Sequence, residues 1–354
     1  MTAKGVKRQM TKRIAAADTK GLAEAAEKLR QGELVAFPTE TVYGLGANAL
    51  LANAVAGIYE AKGRPSDNPL IVHVAQVGQA EAFAEVTAQA RQLFDCFTPG
   101  PLTVILPKKE GIPDIVTAGL DSIAVRIPEH ETARELIQLA GVPIAAPSAN
   151  RSGSPSPTDA DSVLQDMDGR IWGVVDGGRC QVGIESTIVD ITGESPVILR
   201  PGGITLEQIQ EILPDCTLDK GLLKKPEESF QPKAPGMKYK HYAPRAQVIA
   251  FEGTAAAVRQ EIQRYIVTHP KQKIGVFAKN GGSYENALAL HWGETAQDMA
   301  KCLFHALRQF DKLGADVILC EPPETGGMGT SVRNRLYKAA GFHIIHAEER
   351  EKQK

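Results

Sequence analysis

Two cations stand two residues apart in the loop Lys62-Gly-Arg-Pro-Ser-Asp-Asn-Pro-Leu70, where Gly63 and Pro65 stiffen the chain around Arg64. An arginine offers a bidentate fork and a lysine a mobile point charge, so the pair suits a polyphosphate. A solvated basic turn is the competing reading of the same spacing. Arg126 closes the otherwise apolar run Ser122-Ile-Ala-Val-Arg-Ile127, and a guanidinium carried on a strand needs an anionic partner. His73 sits in a similar setting in Leu70-Ile-Val-His-Val74, although a lone histidine on a strand is commonly a satisfied core residue. Ser148 and Asn150 follow the apolar run 142–146. They offer a hydroxyl and an amide where strands end and ligands bind, and both residue types also favour plain turns. A second stretch, Phe37-Pro-Thr-Glu-Thr-Val-Tyr-Gly-Leu-Gly-Ala-Asn-Ala49, leaves a short apolar strand and breaks into hydroxyls and glycines. Together these stretches read as the floor and clamp of a nucleotide site. No G-x-x-x-x-G-K-[ST] phosphate loop occurs. Gly44-x-Gly46-x-x-Ala49 fits the dinucleotide fingerprint only superficially, because its glycines fall several residues beyond the strand.

These groups need a scaffold, and the hydrophobic pattern supplies one. Helices are predicted at 22–30, 51–62, 77–97 and 131–140, with another capped near Thr158. Short strands are predicted at 34–37, 70–74, 102–106, 122–127, 142–146, 171–175, 185–191 and 197–200. Within 122–127, Ser122, Ala124 and Arg126 share one face. The mixture implies an α/β domain over 18–212, with a twisted mixed sheet and flanking helices. Residues 213–245 form a proline-interrupted, lysine-rich linker. It contains the dense cluster Ala234-Pro-Gly-Met-Lys-Tyr-Lys-His-Tyr-Ala-Pro244, which is unlike a disordered tether. Residues 246–354 read as a small Rossmann-like parallel α/β domain, with strands at 248–251, 274–277 and 317–319 and a last helix over 330–340. Gly326-Gly-Met-Gly329 followed by Arg333, Asn334 and Arg335 is read as a Gly-rich turn leading into a solvated basic helix, with an anion-friendly helix entry and a partner-binding surface as the competing reading. Residues 1–17 are read as a frayed basic tail.

Composition narrows the class. The 354 residues carry 40 basic and 42 acidic side chains, which argues against coating nucleic acid by charge alone. Five scattered cysteines with no C-x-x-C pair suggest reduced thiols in a cytoplasmic protein rather than a disulfide frame or zinc site. No apolar stretch approaches a membrane span, and no apolar core follows the basic N-terminal residues as a secretory signal would require.

The motifs PTETVYGLGANA, KGRPSDNPLIVHV, PGPLTVIL, SIAVRIP, APSANRSG, ESTIVD and LRPGG, in this order, resemble the YrdC-like family. With PGMKYKHYAP and the second α/β unit, the chain resembles the family's long two-domain form, the L-threonylcarbamoyladenylate synthases, over about 18–350. The resemblance implies a reaction of L-threonine, bicarbonate or CO2, and ATP. Its products are threonylcarbamoyl-AMP and pyrophosphate, and the adenylate serves threonylcarbamoyl modification of tRNA adenosine 37. Under it, Lys62 and Arg64 clamp the triphosphate. Asn68, Ser122, Ser148, Asn150, Ser156 and Arg200 add nucleotide contacts. Arg126 anchors the threonine carboxylate, with Thr41, His73, Ser186 and the Ala146 backbone around the remainder. The linker reaches over the site as a lid carrying His241 and Tyr242. Mg2+ is expected to ride on the phosphates, since no carboxylate cluster marks a protein-only metal site. The partners implied are the downstream machinery that transfers threonylcarbamoyl to tRNA, with room for a weak direct tRNA contact. The alternative reading is an RNA-binding module without adenylating activity, built on the basic tail and Lys224, Lys225, Lys233, Lys238 and Lys240.

Overall fold

The computed structural model describes residues 10–222, 232–235 and 241–348. The Gly236–Lys240 part of the linker cluster, Lys224, Lys225 and the basic residues Lys4, Lys7 and Arg8 lie outside the described residues. The strands of the first unit are β1 (Lys12–Ala15), β2 (Val35–Phe37), β3 (Gly44–Asn48), β4 (Ile71–His73), β5 (Leu102–Pro107), β6 (Ser122–Arg126), β7 (Ile144–Ala145), β8 (Gly173–Asp176), β9 (Thr187–Asp190), β10 (Val197–Arg200) and β11 (Thr217–Leu218). They form one mixed sheet in the order β1-β8-β2-β3-β7-β4-β6-β5-β9-β10-β11. The second unit holds β12 (Gln247–Glu252), β13 (Ile274–Ala278), β14 (Leu288–His291), β15 (Val317–Cys320) and β16 (Ile344–His346). All pair in parallel, in the order β14-β13-β15-β12-β16. A twisted mixed sheet followed by a small parallel α/β unit is the fold class expected from the pattern.

Three readings of the pattern are corrected. Residues 12–15 are not frayed. They pair in register with β8, Ile14 opposite Val175, and Ile14 is buried. The single helix expected over 77–97 is two helices, Val77–Ala80 and Ala88–Phe97. Thr87 caps the second by accepting a hydrogen bond from the Ala90 N–H, and a threonine in that role starts a new helix rather than continuing one. The Gly44/Gly46 segment, expected as loop beyond the strand 34–37, is the buried strand β3. A Cβ on Gly46 would sit 2.9 Å from both Phe37 and Ile144, so this glycine serves packing.

The faces of the large sheet are covered unequally. Val72, Val104, Val125 and Ala145 point into one continuous core with the helices Ala52–Lys62 and Ala88–Phe97. On the opposite face, helices Thr19–Arg30 and Glu131–Ala140 cover Phe37, Ile144 and Ala146. Farther along that face, Ile71, Ile105, Ala124, Ile188 and Leu199 form a small apolar patch, and the residue packed on it is Ala234 of the linker. The site lies between those helices and this patch.

The second unit is docked against the first. Arg308 forms a bidentate pair with Asp166, at 2.7 and 3.1 Å. Val182 and Ile184 pack among Leu303 and Phe304. Gly183 allows the closest approach, since a Cβ there would lie 2.3 Å from the Ala300 carbonyl oxygen. A cleft of about 480 Å³ opens at the ends of the second sheet's strands. Its cations Arg259, Lys279 and Arg333 already face Glu321, Glu294 and Glu252. Among the described residues, no helix is long and apolar enough to cross a membrane.

Candidate active site

Parallel pairing of β4 and β6 sets His73 directly beside Arg126. Antiparallel β7 then delivers the chain into the loop 147–157, with the Ala146 N–H donating to the Ile71 carbonyl at 2.9 Å. These strand ends, the loop, the end of β10 and the linker enclose a cavity of about 60 Å³. Its lining includes Arg64, His73, Arg126, Ala146, Ser148, Asn150, Ser156, Arg200, His241 and Tyr242. Three arginines therefore converge on one cavity from three separate motifs.

Arg126 is 4% exposed. Its Nη2 donates to Glu40 Oε1 at 2.7 Å and to Thr41 Oγ1 at 2.9 Å. Its Nε is buried and has no partner among the described residues. One edge of the fork is thus held from behind, while the Nε edge retains donor capacity. Thr41 does not line the cavity. It lies beneath Arg126 and orients it, with Thr39 supporting it at 2.8 Å.

Arg200 is held in the same manner. Its Nη2 donates to Ser186 Oγ at 3.0 Å and its Nε to the Ser186 carbonyl at 3.0 Å. Ser186 also shares a hydrogen bond with Thr103, so it supports Arg200 rather than lining the cavity. Burial lowers Arg200 to about 10, against the opposing charge of Glu185.

The structure separates the two cations of the Lys62/Arg64 loop. Arg64 lines the cavity. Lys62 is 4% exposed and turns behind the wall, where its ammonium donates to the carbonyls of Ser148 and Asn150. Burial, then the charge of Arg64, drives its pKa well below the usual lysine range. A free lysine clamp in front of the site is therefore not what is seen. Asn68 is fully buried outside the lining, and neither side-chain polar atom has a partner among the described residues. Ser122 also lies outside the lining, at the start of β6, four residues from Arg126 on the same face.

His73 is buried and its Nδ1 faces the Ile71 carbonyl at 3.2 Å. Burial, then the charge of Arg126, pushes the imidazole down to about 3. This depressed value fixes the sign of a pH effect. Between about 3 and the unfolded value near 6.5, the unfolded chain takes up a proton that the folded chain refuses. Stability is therefore lost as pH falls from about 6.5 toward 3, with His73 contributing at most about 1.4 kcal/mol per pH unit. Urea unfolding at pH 6.5 and 5 is expected to show this slope in the native protein and a shallower one in His73→Asn. Equal slopes would contradict it.

The described linker residues Pro235, His241 and Tyr242 line one side of the cavity. The Pro235 carbonyl lies 3.4 Å from Arg200 Nη1. Ala243 N–H donates to the Gly153 carbonyl at 2.9 Å, tying the linker to the loop 147–157. Tyr242 stacks on Phe304 at 5.0 Å and holds φ at 65°. That left-handed conformation is costly for an aromatic residue and persists only where its surroundings enforce it. Burial, then Arg64, lowers His241 to about 3.

Three site residues escaped the sequence reading. Glu40 holds Arg126. Glu185 lines the cavity, accepting from Ser156 Oγ at 2.7 Å and from Arg335 Nε at 2.7 Å. The rule that flagged Arg126, an ion leading or ending an apolar strand, applies equally to Glu185 before Ser186-Thr187-Ile-Val. Arg335 was assigned to a solvated helix. Instead the helix Gly327–Ala339 buries Arg335 fully, with Asn334 1% exposed. Arg335 lies on the helical stripe of Val332 and Ala339, and that was the missed signal. Of the lysines invoked for RNA binding, Lys233 pairs with Asp190 at 3.2 Å.

Comparison with known proteins identifies the family. Residues 27–202 match the Sua5/YciO/YrdC family model, described as telomere recombination. Residues 204–341 match the model for the threonylcarbamoyl-AMP synthase C-terminal domain. A threonylcarbamoyl-AMP synthase of Pyrococcus abyssi is 50% identical over 91% of this chain and 94% of its own. One from Bacillus subtilis is 47% identical over 92% and 94%. The crystal structure of P. abyssi Sua5 complexed with L-threonine superposes with a TM-score of 0.92 at 46% identity, covering 96% of this chain and all of the other. The chain belongs to the threonylcarbamoyl-AMP synthase family.

Proposed function

We infer that this chain synthesises threonylcarbamoyl-AMP from L-threonine, bicarbonate or CO2, and ATP, releasing pyrophosphate, for threonylcarbamoyl modification of tRNA adenosine 37. The observation that carries the reading is the convergence of Arg64, Arg126 and Arg200 on one cavity. Two anionic substrates, one with a carboxylate and one with a triphosphate, match that charge. The Nε edge of Arg126 takes the threonine carboxylate, with His73 neutral beside it. Arg64 and Arg200 face the phosphates, with Ser148, Asn150 and Ser156 adding polar contacts. Asn68 and Ser122 are assigned to the nucleotide from the flanks, and Thr41 and Ser186 act through the arginines they hold.

In the reaction the threonine amine forms a C–N bond to bicarbonate carbon with loss of water, or to CO2 with loss of a proton, giving a carbamate. A carbamate oxygen attacks the α-phosphorus, the bond to the bridging oxygen breaks, and pyrophosphate leaves with the electron pair. No nucleophilic side chain is needed, so catalysis rests on positioning and on charge neutralisation. Glu185, the carboxylate that faces the cavity, is taken up by Arg335 and Ser156. Mg2+ accordingly enters as part of the MgATP substrate, on phosphate oxygens. The five unpaired cysteines suit a reducing, cytoplasmic setting.

The linker acts as a lid. A cavity of about 60 Å³ is far below the size of a nucleotide pocket, so Pro235, His241 and Tyr242 have to withdraw to admit ATP and return to shield the labile adenylate. Alanine at both His241 and Tyr242 is expected to weaken nucleotide affinity by roughly tenfold, the scale of one lost stacking contact. Unchanged affinity and synthesis would sink the lid. The function itself is tested by incubating the protein with ATP, L-threonine and bicarbonate and weighing the nucleotide products by mass spectrometry. A threonylcarbamoyl-AMP mass is expected. Salt-sensitive tRNA binding with ATP left intact would favour the RNA-binding module instead.

A further inference from the structure

The largest fully buried side chain among the described residues is Arg335. It is carried by the helix Gly327–Ala339 of the second unit, yet its main partners belong to the catalytic unit and the linker. Nε donates to Glu185 Oε2 at 2.7 Å, and Nη1 donates to the carbonyl of Pro201, next to Arg200, at 2.7 Å. The guanidinium lies 5.8 Å from the centre of the Tyr242 ring. The other oxygen of Glu185, Oε1, accepts the Ser156 hydroxyl at 2.7 Å. One side chain from outside the catalytic fold therefore touches the ESTIVD motif, the LRPGG motif and the lid.

The charges explain why such a link is needed. Glu185 is 6% exposed and lines a cavity otherwise furnished with cations for phosphate. Unpaired, it would oppose a polyphosphate at close range in a poorly screened setting. Paired with Arg335, it orients Ser156 while its charge is cancelled from behind. Burial tends to raise the Glu185 pKa, but Arg335 and then Arg200 outweigh it, and the carboxyl stays ionised. Lys338, one turn further along the same helix, shows the same crowding, since burial and the charges of Arg335 and Arg200 lower its ammonium to about 7.

We propose that Arg335 is a positioning residue for the ATP half of the reaction: through it the second unit supplies the countercharge that lets Glu185 hold Ser156 at the phosphates without repelling them. This rests on the functional reading above. It also gives the second unit a role in substrate binding, beyond carrying the end of the linker. The expected signature is selectivity for one substrate and dependence on the Glu185 charge. A purely structural role would produce neither.

The test uses the full-length protein and calorimetric titration of MgATP and, separately, of L-threonine. Arg335→Met is expected to weaken MgATP binding tenfold or more and to leave the L-threonine Kd within twofold. The double variant Arg335→Met/Glu185→Gln removes the stranded carboxylate and is expected to bring the MgATP Kd back to within threefold of the native value. Because it leaves no unpaired ion, the double variant folds even where the single one does not. Equal weakening of both substrates in the single variant, or a double variant still tenfold weak for MgATP, would overturn the proposal. Native protein that binds MgATP but releases no pyrophosphate with threonine and bicarbonate would overturn the functional reading and leave this charge test standing on its own result.

Discussion

Replacing Arg126 by alanine is expected to raise the KM for L-threonine by roughly ten- to a hundredfold, the value of one or two charge-assisted hydrogen bonds. The same change is expected to destabilise the fold by about 3–5 kcal/mol, because breaking a buried ion pair leaves its partner charged and unpaired. That partner is Glu40, whose side chain is 5% exposed and whose Oε1 lies 2.7 Å from Arg126 Nη2. The two effects are separable. Arg126→Ala/Glu40→Gln removes the stranded charge and is expected to recover much of the stability but none of the threonine affinity. Steady-state kinetics with each substrate varied in turn, together with urea unfolding, checks both parts. Parallel losses for ATP and threonine would show that Arg126 does not belong to the threonine side.

The second large effect is expected at Lys62. Its ammonium does not face the cavity but pins the carbonyls of Ser148 and Asn150, the latter at 2.6 Å. Alanine there leaves the buried Asn150 carbonyl unsatisfied, at about 1–3 kcal/mol, and the half-buried Ser148 carbonyl without its donor. It also frees the loop that brings Ser148, Asn150, Ser154 and Ser156 to the cavity. A fall of roughly a hundredfold in kcat/KM for ATP, about 2.7 kcal/mol, is expected together with a lower melting temperature. Arg64→Ala, which removes a cation that faces the cavity, is expected to raise the ATP KM without the matching loss of stability. Lys62→Ala and Arg64→Ala variants with the same melting temperature as the native protein would return Lys62 to the direct clamp first expected from its spacing.

The contrast between these lysine and arginine roles marks what the sequence made legible. Arg126 could be singled out because a lone ion on an apolar strand is costly unless paired, and that cost is local. The mixed sheet and the small parallel sheet were readable for a similar reason, since period-2 runs and helical stripes are short-range signals. The direction of Lys62 was not readable. It depends on two carbonyls about ninety residues away, at positions 148 and 150, which no local pattern encodes. The edge strand at 12–15 depends in the same way on pairing with Gly173–Asp176. Arg335 was hidden by its neighbours: preceded by Arg333 and Asn334, it reads as part of a wet basic helix until the docking of the two units buries it.

The proposed reaction requires one pocket to join L-threonine, bicarbonate and ATP under the linker. The most direct measurement is pyrophosphate release by the full-length protein while each reactant is omitted in turn. Release is expected only when L-threonine, bicarbonate and MgATP are all present, with serine failing to replace threonine. Release with serine but not threonine would contradict the substrate assignment, and no release with all three present would contradict the assigned reaction.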